Sequence, residues 1–183
     1  MNTITGKLFI QSYYNGSETM TSKAYNQDNT KETTDVEMIT VSLHDDNGIV
    51  ETQEAMLKTD GTFSAEFVSG GEYHLSVRGV NSLEVFSNGK VNVTDPTNYD
   101  FTVSGATLGN NVVEVESGVF AILSGDINGD GVIDATDVGL LTIAVSNSDY
   151  GVQATDLNGD GVVDNSDSDN LWTNLGKSVI KPY

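Results

Sequence analysis

The stretch "GDINGDGVIDATD", residues 125–137, sets Asp or Asn at every second position until a glycine intervenes, and "TDLNGDGVVDNSD", residues 155–167, repeats it. Alternate side chains along a tight loop converge on one point. Ca²⁺, a hard cation taking six to eight oxygens at about 2.3–2.6 Å, suits such a point. Positions 1, 3 and 5 are Asp126, Asn128 and Asp130 in the first loop and Asp156, Asn158 and Asp160 in the second. Position 6 turns sharply through positive φ, which calls for Gly131 and Gly161. Position 7 offers its carbonyl, from Val132 and Val162, and position 9 is Asp134 or Asp164. Position 8, Ile133 or Val163, is apolar, so it anchors the loop to a core and is expected to pair one loop with the other. Position 12 is Asp137 or Asp167. The alternative is a pair of solvated Asx-Gly turns. It is disfavoured because both copies fit at each position, and four carboxylates per loop would repel one another unless a cation neutralised them. The expected cofactor is therefore two Ca²⁺ ions; Mg²⁺ fits a flexible, many-oxygen loop less well.

Outward from these loops, the 183 residues allow one large or two small domains. The formal charge of −19 argues against nucleic acid or an anionic membrane as direct partners. No apolar run approaches the roughly 20 residues of a spanning helix, so no membrane insertion is expected. The absence of cysteine excludes disulfides and thiolate metal sites. "MNTITGKLFI" lacks the basic and apolar regions of a signal peptide. The chain thus reads either as a mature or excised segment with an added Met, or as a protein released by other means.

Residues 1–104 read as β. "EMITVSLHD" alternates, with Ile39, Val41 and Leu43 on one side and Met38, Thr40 and Ser42 on the other. "TFSAEFV" places Phe63, Ala65 and Phe67 on one face. "EYHLSVRG" directs Tyr73, Leu75 and Val77 inward and His74, Ser76 and Arg78 outward. "GKLFIQSYY", "LEVFS", "KVNVT" and "YDFTV" complete the set, separated by turn signals such as Asp46-Asn47-Gly48 and Asp60-Gly61. Seven or so short strands at this spacing predict a mainly β, immunoglobulin-like antiparallel β-sandwich. Residues 15–35 are polar and patternless and read as a long loop. Residues 105–124 hold two strand-like runs connecting the sandwich to a small module of two calcium loop-helix repeats over 125–183. Each repeat ends in a helix started by a capping-box-like pair, Asp134 with Asp137 and Asp164 with Asp167, and the second stops at Gly176. Leu140, Leu141, Ile143 and Ala144 on one helix are expected to pack on Leu171, Trp172 and Leu175 of the other.

These two segments resemble the paired repeats of type I dockerins: a calcium loop with Asp at position 12, a following helix and no entering helix. The resemblance covers about 125–176. It implies docking to a cohesin module through loop positions 10 and 11, here Ala135, Thr136, Asn165 and Ser166, and along the helices. The order of a sandwich with "GEYHLSVRGVNSLEVFS", then "GNNVVEV", then the two loops, is also similar to C-terminal regions of large extracellular Bacteroidota proteins. That similarity implies an extracellular or cell-surface setting.

Function classes divide on the same residues. A calcium sensor needs a helix pair opening on a Met-rich groove, but Met1, Met20, Met38 and Met56 all precede the loops. No catalytic residue is assigned and the protein is read as a non-enzyme: His44 and His74, the only histidines, read as surface residues. Tyr13, Tyr14, Tyr25 and Trp172 could stack on glycans, although Trp172 at helical spacing reads as core. The leading expectation is a structural subunit of a fibre, surface layer or virion surface, by self-association or with another surface protein, with calcium stiffening the module and bridging subunits. A carbohydrate-binding or adhesion module and a dockerin docking to a cohesin-like partner are the alternatives.

Overall fold

The computed structural model describes residues 1–109 and 111–183. β1 (Asn2–Lys7) is the central strand of a three-stranded sheet. It pairs antiparallel with β6 (Thr62–Phe67), Asn2 opposite Phe67, and parallel with β10 (Thr97–Asp100), Ile4 opposite Thr97. The second sheet runs β5 (Gly48–Lys58), β4 (Asp35–Asp45), β7 (Gly71–Arg78), β8 (Val85–Phe86), with β9 (Val91–Val93) also on β7. The period of two decides what lies between the sheets. Ile4, Phe63, Ala65 and Phe67 from one sheet and Ile39, Val41, Leu43, Ala55, Leu57, Leu75 and Val77 from the other are buried in a common core. The fold is a β-sandwich, with one correction: the β1–β10 pair is parallel, so the sandwich is not wholly antiparallel.

Two further expectations change. The apolar run Leu8-Phe9-Ile10 is not strand; it leaves the end of β1 and plugs the core, with Ile10 bridging to Ile122 and Tyr13 fully buried in the turn that follows. The outer face of β4 and β7 is not solvated at His44 and Ser76. The His44 Nδ1 lies 3.1 Å from the Tyr183 hydroxyl and its Nε2 lies 2.8 Å from Ser76 Oγ, because the C-terminal tail folds back over the sheet. His44 is 1% exposed, with its pKa lowered by that burial, which corrects its reading as a surface residue.

The polar run 15–35 is also more ordered than its pattern suggests. β2 (Tyr14–Gly16) and β3 (Thr19–Met20) form a small hairpin, and α1 (Lys23–Gln27) follows. A five-residue helix cannot stand alone. Here Lys23 turns inward, 3% exposed, into an ion pair with Glu37 of β4, and its Nζ donates to the Tyr13 hydroxyl at 2.5 Å. Tyr13 in turn donates to Glu37 Oε2 at 3.1 Å and stands 3.0 Å from Asn81 Oδ1. Burial first, and the Glu37 charge second, push the Tyr13 phenol well above its ordinary range.

β11 (Val112–Glu116) and β12 (Val119–Ile122) form a hairpin whose Ala121 and Ile122 belong to the sandwich core. Leu123 belongs instead to a second core with Leu83, Ile127, Ile133, Leu141, Ala144, Leu157, Val163 and Leu171. α2 (Ala135–Asn147) and α3 (Ser168–Asn174, after a 3₁₀ turn Asn165–Asp167) close this core.

Candidate calcium centres and a helix face

Both loops are shaped by the same local bonds. The position-3 side chain accepts from the position-5 amide, Asn128 from Asp130 at 3.0 Å and Asn158 from Asp160 at 2.9 Å. The position-5 carboxylate accepts from the position-7 amide, Asp130 from Val132 and Asp160 from Val162, each at 2.9 Å. Gly131 and Gly161 adopt φ of 88° and 92°, and their amides donate to the position-1 carboxylates Asp126 and Asp156. Asp134 and Asp164 cap the following helices, each in a reciprocal capping box with Asp137 or Asp167 as expected. The Val132 and Val162 carbonyls are left without a backbone donor among the described residues.

The expected pairing of one loop with the other does not form. Ile133 instead exchanges backbone bonds with the segment after α3, through Lys177 and Gly176, and Val163 donates to Asp149 after α2. Each loop is thus closed by the tail of the other repeat, which ties the two repeats into one unit.

Electrostatics decide whether a cation fits. Asp126, Asp137, Asp156 and Asp167 are at most 1% exposed, and none of the described ion pairs involves a loop carboxylate. Asp126 Oδ1 is buried with no hydrogen-bond partner. An orphaned carboxylate oxygen is costly in a protein interior unless a donor or a metal meets it. Desolvation raises the Asp126 and Asp156 carboxyls above their ordinary range, and that of Asp167 to about 6. Hydrogen bonds from Thr136 and Ser166 hold Asp134 and Asp164 below it. The donor set is all oxygen and fits a hard divalent cation. Among the described residues no three acidic or histidine side chains stand together as metal ligands would.

A pH dependence follows for the metal-free protein. Asp167 titrates near 6 when folded against 3.8 ordinarily, so its contribution is fully present below about 3.8 and is lost as pH rises through about 6. The melting temperature in metal-free buffer is expected to rise by a few degrees between pH 7 and pH 5, and Asp167→Asn to flatten that rise. A wild-type melting temperature that falls over this interval would contradict it.

The helices do not bury all of the apolar positions assigned to their shared face. Leu141, Ala144 and Leu171 are buried, but Ile143 is 60% and Trp172 57% exposed, and Leu140 and Leu175 are also exposed. Trp172 is therefore not core. A groove lined by Val138, Leu141, Val145, Ser168, Leu171 and Trp172 runs between α2 and α3. Ala135, Thr136, Asn165 and Ser166 are exposed at the helix starts. The spacing marks Leu140, Ile143, Trp172 and Leu175 as apolar positions of two helices, but which of them are buried is decided by how the helices pack.

Residues 124–175 match the family model described as "Dockerin type I domain". No curated protein matches the chain. Among solved structures, the chain is similar to one in the complex of a C-terminal interface mutant of the type II cohesin-X-dockerin of Acetivibrio cellulolyticus, with a TM-score of 0.60, 19% identity and 97% of each chain covered. The corresponding N-terminal interface mutant complex matches with a TM-score of 0.57, 19% identity and the same coverage. At that identity the likeness is one of fold, and it runs through sandwich and loops together. The C-terminal part of this mainly β chain is a dockerin-like module.

Proposed function

We propose that the chain is a non-catalytic extracellular docking protein. In this reading its dockerin-like module binds two Ca²⁺ ions and engages a cohesin-type partner through the exposed face of α2 and α3. The module is taken as residues 125–183, behind a sandwich of 1–104 and the linking strands 105–124. The calcium ligands are Asp126, Asn128, Asp130, the Val132 carbonyl, Asp134 and Asp137 in one loop. Asp156, Asn158, Asp160, the Val162 carbonyl, Asp164 and Asp167 serve in the other. When bound, calcium supplies the positive charge that the buried carboxylates otherwise lack and fixes the loops that begin both helices. The single observation carrying the docking reading is that the apolar side chains Leu140, Ile143, Trp172 and Leu175 are left exposed on the helical part of a module whose family match is dockerin. Exposed apolar patches mark interaction sites, and aromatic anchors dominate binding energy.

Docking is better supported than a fibre, surface-layer or virion subunit, for which neither the family match nor the structural neighbours speak. Self-association and glycan binding have no comparable support. The test is a panel of type I and type II cohesin modules, immobilised and probed with the full chain in calcium. At least one is expected to bind. Trp172→Ala and Ile143→Asp should each weaken that complex by roughly 30-fold or more, as hot-spot losses of about 2 kcal/mol imply. Their melting temperatures should stay close to wild type, since exposed substitutions cost within about 0.5 kcal/mol. Binding that survives both substitutions would place the partner elsewhere.

A further inference from the structure

The sandwich touches the two loops at equivalent places but by unequal means. At position 4 each loop carbonyl receives one side-chain bond from the sandwich: Arg78 of β7 donates to Gly129 O at 3.1 Å, and Asn26 of α1 donates to Gly159 O at 2.8 Å. At position 1 the equivalence ends. Asp156 Oδ2 accepts from Gly161 N at 3.0 Å and also from Gln27 Nε2 at 2.8 Å, while its Oδ1 accepts from Gly159 N. Asp126 Oδ2 accepts only from Gly131 N at 3.1 Å, and its Oδ1 has no partner. Packing sharpens the contrast. A Cβ at Gly161 would lie 2.6 Å from the Asn26 carbonyl, and one at Gly159 would lie 3.0 Å from Lys23. α1 therefore sits directly on the second loop, and only glycine at these two positions lets it do so.

Resting on the calcium reading above, we propose that Gln27 is a positioning residue for the second calcium site. The sandwich, through α1, completes the outer bonding of one loop and leaves the other to organise itself. The physical basis is the lone-pair count of a carboxylate. Each oxygen accepts about two bonds. Gln27 and Gly161 fill Oδ2 of Asp156 between them, which fixes the rotation of the carboxylate and keeps capacity on Oδ1 for the ion. The Gln27 side chain is itself aligned by a weaker bond to the Gln153 carbonyl at 3.3 Å, and α1 is held by the buried Lys23–Glu37 pair. Outer partners of this kind change metal affinity by about 10–100-fold. Arg78 offers no counterpart, because its bond goes to a backbone carbonyl and it leaves the Asp126 carboxylate unpartnered at Oδ1.

Calorimetric titration of Ca²⁺ into the metal-stripped full chain tests this, comparing wild type, Gln27→Ala, Gln27→Met, Asp156→Ala and the Gln27→Ala/Asp156→Ala double variant. Gln27→Ala is expected to weaken one site by about 10-fold or more and to leave the other within about twofold. The affected site is the one that Asp156→Ala removes, and the double variant shows no further loss. Gln27→Met keeps the stem without the amide and should behave like Gln27→Ala, which separates the hydrogen bond from packing. Melting in metal-free buffer near the wild-type temperature shows that each variant folds. Unchanged affinity at both sites, or equal weakening of both, overturns the role of Gln27 while the calcium sites stand. A wild-type protein that binds no calcium overturns both.

Discussion

Glu37→Ala is expected to lower the folding free energy by about 3–5 kcal/mol, the usual cost of stranding one member of a buried ion pair. In a chain of this length that is a fall in melting temperature of roughly 10 °C. The carboxylate serves three donors. Its Oε2 meets Lys23 and Tyr13, and its Oε1 accepts from Val80 N at 2.8 Å and stands in the space where Gly79 has no side chain. Alanine leaves the buried Lys23 ammonium without its counter-charge and the Val80 amide without its acceptor, leaves the Tyr13 phenol with Asn81 alone, and removes the anchor of α1. Replacing both charges, as in Lys23→Met/Glu37→Met, should recover much of the loss, because well-packed apolar groups commonly substitute for a buried pair. Chemical denaturation at fixed, saturating calcium checks both variants. A loss under 1 kcal/mol for Glu37→Ala would show that the pair does not hold α1.

The second large effect is that of the metal. With calcium a hundredfold above its dissociation constant, each site is expected to add about 2.7 kcal/mol by mass action. Asp126→Ala and Asp156→Ala should each remove one such increment in calcium. In chelator they should change the melting temperature little, or raise it, since each deletes a carboxylate that burial disfavours in its charged form. Equal destabilisation with and without calcium would assign these residues to the fold rather than to an ion.

Much of this architecture could be read along the chain, and the failures share a cause. The repeat, its glycines at positive φ and the two capping boxes are local, so spacing alone exposed them. The alternation of β4 and β6 likewise sorted buried from exposed residues at Ile39, Val41, Phe63 and Phe67. α1 was hidden because "KAYNQ" has no apolar period. Its stability comes from Lys23 reaching a carboxylate on another strand, and a lysine in a polar run signals solvent. His44 and Ser76 sit at polar positions of β4 and β7 yet are buried: His44 lies against Tyr183, more than a hundred residues away in sequence, and in turn bonds Ser76. The Gln27–Asp156 bond spans a comparable distance. Trp172 erred in the other direction: helical spacing marked it apolar, and only the crossing of α2 and α3 decides which apolar residues remain exposed. Docking gained weight over assembly for the same reason. Which apolar residues of the two helices stay exposed is visible only once the helices are placed, and the dockerin match favours a protein partner over the other readings.

The role given to Gln27, and the fixing of the loops that begin both helices, rest on those loops being metal sites. The most direct measurement is calorimetric titration of calcium into the metal-stripped wild-type chain near neutral pH. Two ions bound per chain are expected, with a higher melting temperature at the end of the titration than at its start. No ion bound at millimolar calcium, or an unchanged melting temperature, would contradict it.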